Sequence, residues 1–100
     1  MREPDIEAMI TCLRQTPFHT GYRPHHLVND EYLTTGTHTY CDKNFISYGE
    51  STLGTITFIT PEAYPHCLWE GKKIPIQEGS RVVGYAIVMK IFNELLRLQN

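Results

Sequence analysis

The sequence lacks the features that mark several large classes of protein. It has no run of about 18 apolar residues, so no membrane-spanning helix is expected. Its most apolar stretch, Val82–Phe92, is interrupted by Gly84 and Lys90. Residues 1–5 contain no apolar signal segment, so we do not expect secretion. The apolar fraction of 41% is too high for a disordered chain, and 100 residues predict one folded domain over residues 1–100.

A strong charge of one sign and a set of paired cysteines are also missing. The net charge is −2, and the nine lysines and arginines are scattered, with only Lys72 and Lys73 adjacent. Nucleic-acid-binding domains usually concentrate basic residues on one face, so a strong, sequence-independent RNA binder is not predicted. The three cysteines, Cys12, Cys41 and Cys67, are widely spaced. We therefore expect no disulfide framework and a cytoplasmic location.

Motifs for catalysis, metals and nucleotides are missing too. There is no Gly-x-x-x-x-Gly-Lys-Ser/Thr loop to hold phosphates. Five histidines are present without a Cys-x-x-Cys or His-x-x-x-His pair, and His25 and His26 are predicted on opposite faces of a strand. His66 and Cys67 are adjacent, and neighbours in a loop rarely meet as base and nucleophile. We predict no enzyme, no cofactor and no metal site.

Short alternating segments predict β-strands. The predicted strands are Ile6–Leu13, Tyr22–Val28, Gly36–Cys41, Leu53–Thr60 and Arg81–Ile91. In the last strand one face carries Val83, Tyr85, Ile87, Met89 and Ile91. The other face carries Val82, Ala86 and Val88. Apolar residues on both faces predict a strand that is covered on both sides. Several strands without helical periods between them indicate a closed barrel or a sandwich.

The C-terminal segment has a helical spacing instead. Its apolar positions are Ile91, Phe92, Leu95, Leu96 and Leu98. This spacing predicts a short helical tail over about residues 92–99, which must pack on something because it is too short to be stable alone. Two interpretations remain open, since the tail either covers the barrel or forms a dimer contact. The sequence leaves the oligomeric state undetermined.

Three segments resemble, in the same order, parts of the third domain of elongation factor Tu. The first is Arg14 with Thr16–Pro24, which resembles the family's Gly-Arg-His-Thr-Pro-Phe-Phe followed by Gly-Tyr-Arg-Pro-Gln. The second, Tyr48–Ser51 with a strand and then Pro61, is similar to Met-Pro-Gly-Asp and a strand ending in Ile-x-Pro. The third, Ile76–Ile91, is similar to Ile-Arg-Glu-Gly-Gly-Arg-Thr-Val-Gly followed by Val-x-Lys-Ile.

The resemblance covers roughly residues 6–92 and implies the family's fold for this all-β chain. That fold is a six-stranded antiparallel closed β-barrel, which we expect over about residues 5–92, here without the family's GTPase domain. Two glycines agree with it. Gly79 suits a turn that needs positive φ, and Gly84 inside a strand suits a close approach of two backbones.

In the family this barrel helps to hold the T stem of aminoacyl-tRNA, packs against the GTPase domain and touches the exchange factor. The resemblance therefore implies an RNA-facing surface formed by Arg14, Gln15, His25, Thr34, Glu78 and Gly79. Thr60 stands where the family often has a basic residue, which removes one phosphate contact. Arg81 and Glu78 flank a turn, and an ion pair between them is favoured over a role in binding. A tRNA-binding barrel is the alternative function.

The leading expectation is a non-enzymatic module that binds a protein partner linked to translation, such as a translation component or a GTPase domain. Residues 61–71 form a longer segment than the family has, and they contain Tyr64, His66 and Trp69. We predict that these three side chains form the protein interface. Trp69 has two open interpretations, an interface anchor or a plug at one end of the barrel.

Overall fold

The computed structural model of the protein describes residues 3–29 and 32–99. Its strands are β1 (Ile6–Cys12), β2 (Phe18–His19), β3 (His25–Asn29), β4 (Tyr32–Tyr40), β5 (Phe45–Ile46), β6 (Ser51–Phe58), β7 (Lys73–Glu78) and β8 (Arg81–Ile91). Two 3₁₀ turns, Pro61–Ala63 and Glu94–Leu96, complete the regular elements of this part of the chain. Neither described turn is long and apolar enough to cross a membrane.

Six of the strands close into a barrel in the order β1-β6-β4-β3-β7-β8, and every neighbouring pair is antiparallel. The β1–β8 pairing joins the two ends of the sheet, so none of the six is an edge strand. The two short strands β2 and β5 form a separate ribbon in which Phe18 lies opposite Ile46. The predicted all-β closed barrel of six antiparallel strands is confirmed.

Alternation along the strands places the core inside the barrel. In β6, the buried positions Gly54, Ile56 and Phe58 alternate with Thr55 and Thr57, which are half-buried on the outer side. The largest fully buried side chains are Phe18, Phe58, Ile6, Ile10, Ile46, Ile56, Leu68, Ile74, Ile76, Leu96, His26 and His38. A side-chain period of two is enough to build such a core, because each strand contributes every second residue.

Bulges in β8 change which of its residues point inward. One shift in register lies at Glu7–Ala8 of β1 and another at Ile76–Gln77 of β7. Each leaves an extra residue in β8, and this reverses the alternation beyond it. The residues of β8 that the barrel buries are Val83, Gly84, Ala86, Val88 and Ile91. The predicted faces of β8 are wrong at its two ends, because Val83 and Ile91 point inward and Val82 points outward. The middle of the strand is as predicted, with Ala86 and Val88 on the face opposite Ile87 and Met89. The described part of the chain does not supply the predicted cover on both sides, since Ile87 and Met89 are 39% and 45% exposed.

The other predicted strands are in the right place with different bounds. The extended segment predicted at Tyr22–Val28 is a strand only from His25 onward. The strand predicted at Gly36–Cys41 begins earlier, at Tyr32, and ends at Tyr40. The β2–β5 ribbon was not predicted, since strands of two residues show no alternation that a sequence pattern can reveal.

Asp5 connects the start of the barrel to the tail. Its carboxylate accepts hydrogen bonds from the backbone N–H of Phe58 at 2.7 Å and from the side-chain amide of Asn93 at 2.9 Å. Its carbonyl oxygen accepts from the backbone N–H groups of Phe92 and Asn93. The tail then forms one 3₁₀ turn, Glu94–Leu96, which is shorter than the helical spacing predicted.

The tail packs on its own molecule. Leu96 is fully buried, and its carbonyl accepts a hydrogen bond from the N–H of Leu68 at 2.8 Å. The N–H of Leu98 in turn donates to the carbonyl of Leu68 at 2.7 Å. The tail thus covers the segment of residues 61–71, in agreement with the first interpretation, while a dimer contact through its exposed side chains stays a prediction.

Candidate functional site

Arg14 and Glu78, both predicted to face RNA, meet at one end of the barrel. Nη1 of Arg14 donates to the Glu78 carboxylate, and the hydroxyl of Tyr22 donates to the same carboxylate oxygen. The ion pair predicted between Glu78 and Arg81 is wrong, because the turn places the Glu78 carboxylate against Arg14 instead. Burial, together with the Glu78 hydrogen bond, raises the pKa of Tyr22 well above its usual range, so this hydroxyl stays protonated.

Two more donors of Arg14 bind carbonyls within the chain. Its Nε donates to the carbonyl of Thr16 and its Nη2 to the carbonyl of Pro17, each at 2.9 Å. The centre of the guanidinium lies 5.1 Å from the ring centroid of Phe18 and 4.6 Å from that of Tyr22. A planar group stacked and bonded in this way fixes the loop after β1. Arg14 is therefore directed at its own chain rather than outward.

The other residues of the predicted RNA-facing set divide into exposed and buried members. Gln15, His25 and Gly79 are exposed. His25 lies opposite Gln77 in β7, which places it at the same end of the barrel as Glu78. Thr34 was wrongly expected at the surface. The alternation of β4 points it inward, where it is 4% exposed.

The segment of residues 61–71 buries one of the three residues predicted for a protein interface. Tyr64 is 3% exposed, and its ring lies 4.8 Å from that of Tyr32 and 6.0 Å from that of Phe58, centroid to centroid. Its hydroxyl donates to Oγ1 of Thr34 at 3.1 Å. Burial raises the pKa of Tyr64 to about 12. Tyr64 is a core residue, so its predicted place in an interface is wrong.

Trp69 is the exposed aromatic residue of this segment, with 46% of its surface accessible. The ammonium group of Lys72 lies 4.6 Å from the Trp69 ring centroid and donates to the carbonyls of Cys67, at 2.8 Å, and of Val28. The neighbouring Leu68 is the residue that fills the interior. The plug interpretation of Trp69 is therefore wrong, and the anchor interpretation stays open.

His66 lies between these residues and the tail. Its backbone adopts φ of 61°, an uncommon value for a residue with a side chain. Its N–H donates to the carbonyl of Leu95 at 2.8 Å, and its Nδ1 donates to the carbonyl of Arg97 at 3.1 Å. The adjacent Cys67 has a raised pKa because of burial. His66 thus binds the tail through both its backbone and its ring.

A chain of buried hydrogen bonds that the sequence analysis missed crosses the barrel interior. Nε2 of His26 lies 2.9 Å from Nε2 of His38, and Nδ1 of His38 lies 3.1 Å from the hydroxyl of Tyr40. Nδ1 of His26 lies 3.4 Å from the carbonyl oxygen of Thr34. A carbonyl only accepts, so His26 donates from Nδ1 and accepts at Nε2 from His38, which in turn accepts from Tyr40. The inward positions of both histidines were the signal available in the sequence.

Both histidines are neutral. Burial lowers the pKa of His26 to about 4, although the hydrogen bond to the Thr34 carbonyl opposes the shift. Burial, with His26 beside it, also holds the pKa of His38 well below its usual value. Phe58 packs edge-on against His26, with 5.6 Å between ring centroids. Among residues 3–29 and 32–99, no group of three or more metal-ligating side chains comes together.

The comparison with known families leaves the identity of the chain open. No family model matches it. The likeness to the third domain of elongation factor Tu thus stays a prediction that rests on the three segments quoted above.

Proposed function

We propose that this chain is a cytoplasmic, non-enzymatic binding module that recognises a protein partner and acts in translation. The observation that carries the proposal is the exposure of Trp69 in residues 61–71, where the chain differs most from the family it resembles. Its indole is held by Lys72, which is itself bound to two backbone carbonyls. An aromatic side chain that is both exposed and held in place loses little entropy on binding, as hot-spot residues do.

The state of the predicted RNA-facing surface supports protein binding over RNA binding. Contacts with phosphates need cationic groups that point outward. Arg14 is the one cation among the residues predicted for that surface. Its guanidinium donates hydrogen bonds to the carbonyls of Thr16 and Pro17 and to the Glu78 carboxylate. Thr34 is buried. The predicted RNA-facing surface therefore presents little positive charge to the phosphates of a nucleic acid.

The alternative proposal is a tRNA-binding barrel. It is favoured by one observation, the shared location of the exposed Gln15, His25 and Gly79 at the end of the barrel that Glu78 occupies. Binding that uses several phosphates must weaken steeply as salt is raised. Affinity for tRNA that falls steeply with salt would support this alternative, and affinity that is flat with salt would argue against it.

Capture from cytoplasmic extract with the tagged protein, before and after RNase treatment, tests the two functions. We expect captured proteins to survive RNase and to be lost with Trp69→Ala. The matched control is Tyr48→Ala, since Tyr48 is 61% exposed and lies outside residues 61–71. Captured material that consists of tRNA and disappears with RNase would contradict the leading proposal. Both variants are first shown to be folded by circular dichroism.

A further inference from the structure

The outer face of the barrel carries an apolar patch across β6, β1 and β8. Leu53 in β6 lies opposite Met9 in β1, and Met9 lies opposite Ile87 in β8, all three on the outward side. We call this patch the β1–β8 face, and its apolar members are Leu53, Met9, Ile87, Met89 and Tyr85. Ile87 and Met89 are its most open residues, at 39% and 45% exposure. A contiguous apolar face of this kind often marks an interaction site.

The residue pattern of β8 indicates that this face is covered when the protein acts. Antiparallel strands with one side in water normally alternate apolar and polar residues, whereas strands buried on both sides are apolar almost throughout. β8 has the second pattern, yet the barrel buries only its inner residues. Its outward residues Ile87 and Met89 remain open to solvent in the described structure. A second layer supplied by another molecule would complete the burial.

The charges around the face select the kind of partner. Lys73 lies opposite Ile87 in β7, and its ammonium group is 4.0 Å from the ring centroid of Tyr85. Lys90 is exposed at the other end, opposite Glu7 in β1. The face thus carries two cations and one carboxylate, while the whole chain has a net charge of −2. A second copy would present the same cationic face, so charge complementarity favours a different, acidic partner.

The face also continues toward Trp69. The N–H of Gly71 donates to the carbonyl of Val88 at 2.7 Å, and the N–H of Val88 donates to the carbonyl of Lys72 at 2.9 Å. The segment that bears Trp69 therefore runs beside the part of β8 that bears Ile87 and Met89.

We propose that the β1–β8 face docks a protein segment that places apolar side chains on Met9 and Ile87 and a carboxylate beside Lys73. The proposal rests on the proposed function, since it names the surface and the chemistry of that protein partner. Burial of the apolar residues supplies the affinity, and the Lys73 contact sets the orientation and excludes basic segments.

The direct test is an NMR titration of the uniformly labelled protein with two synthetic amphipathic peptides. The peptides share every apolar position and carry either Glu or Lys at all other positions. We expect the Glu peptide to shift the amide signals of Met9, Ile87 and Met89, and the Lys peptide to bind at least about tenfold more weakly. Lys73→Glu should reverse this preference. Equal binding of both peptides, shifts confined elsewhere, or no shifts would overturn the proposal.

Point variants distinguish an error in the assigned docking surface from an error in the proposed function. Ile87→Glu should abolish binding of the Glu peptide. The matched control is Ile59→Glu, because Ile59 is 58% exposed and follows the far end of β6. If extract proteins bind the wild type and Ile87→Glu equally, the β1–β8 face is refuted and the module remains. If the wild type captures no protein, the proposed function fails, while the peptide titration still decides whether the face binds.

Discussion

Nε2 of His26 lies 2.9 Å from Nε2 of His38 inside the closed barrel, and the two nitrogens share one proton. The carbonyl of Thr34 at one end and the hydroxyl of Tyr40 at the other fix the direction of the whole chain of hydrogen bonds. Both rings are almost completely buried, His26 at 0% and His38 at 0% exposure, so water does not solvate a charge on either of them. Burial disfavours a charge on either ring and lowers the pKa of both histidines, so the pair is most stable while both rings are neutral.

This relationship predicts a loss of stability in mild acid. The pKa of His26 is about 4 in the folded protein, against about 6.5 for an unfolded histidine. Between these two pKa values the imidazole of His26 is protonated in the unfolded chain and neutral in the folded chain. The free energy of unfolding therefore falls as the pH falls. His26 alone should cost about 3 kcal/mol by pH 4 and nothing above about pH 7. Urea denaturation at a series of pH values measures this slope.

Carboxylates also titrate in acid, so variants must isolate the histidine contribution. The double variant His26→Phe with His38→Leu should show a shallower slope between about pH 6.5 and 4, whatever its absolute stability. His25→Gln is the matched control, since His25 is exposed next to His26. A double variant with the same slope as the wild type would contradict a role for the buried pair.

Asp5 should be essential for stability although it lies near the chain terminus. Asp5→Ala removes the acceptor of the buried Phe58 N–H and of the Asn93 amide. Leaving buried donors unsatisfied should lower the free energy of unfolding by about 2 kcal/mol. Asp42→Ala, in an exposed turn, should change it by less than about 0.5 kcal/mol. Thermal denaturation of both variants decides the matter, and equal effects would argue against the Asp5 contacts.

Arg14 should act in folding rather than in RNA binding. Arg14→Lys keeps the charge but loses the planar group that reaches the Thr16 and Pro17 carbonyls together. We expect a loss of about 1–2 kcal/mol in chemical denaturation, against little change for the exposed Arg23→Lys. Unchanged stability combined with weaker, salt-dependent tRNA binding would instead assign Arg14 to an RNA-binding surface.

Two glycines should respond very differently to alanine. A Cβ at Gly84 would lie 2.3 Å from the carbonyl oxygen of Thr11. The backbones of Gly84 and Thr11 cannot move apart while β1 and β8 stay paired. Gly84→Ala should cost about 3 kcal/mol or more in urea denaturation. Gly79 has φ of 63° and open space around it, so Gly79→Ala should cost only about 1 kcal/mol of backbone strain. Similar costs at both positions would show that the strands can separate locally.

The sequence alone determined the class of fold and the alternation within the strands. Ile56 and Phe58 in β6 follow a period of two, which is a local property of the backbone and needs no knowledge of the partner strand. The roles of Gly79 and Gly84 were also accessible, because positive φ and close backbone approach each require the missing Cβ. The closed six-stranded arrangement came from the resemblance and not from the periodicity.

Only the tertiary structure decided which side chains meet. The contacts of His26 with His38 and of Arg14 with Glu78 depend on the register between strands that are distant in the chain. The two bulges in β8 depend on its partners as well, and each reverses every position beyond it, which moved Val83 and Ile91 to the face opposite Ile87. The sequence pattern shows that successive side chains of a strand point to opposite faces. Closure of the barrel determines which of these two faces is buried.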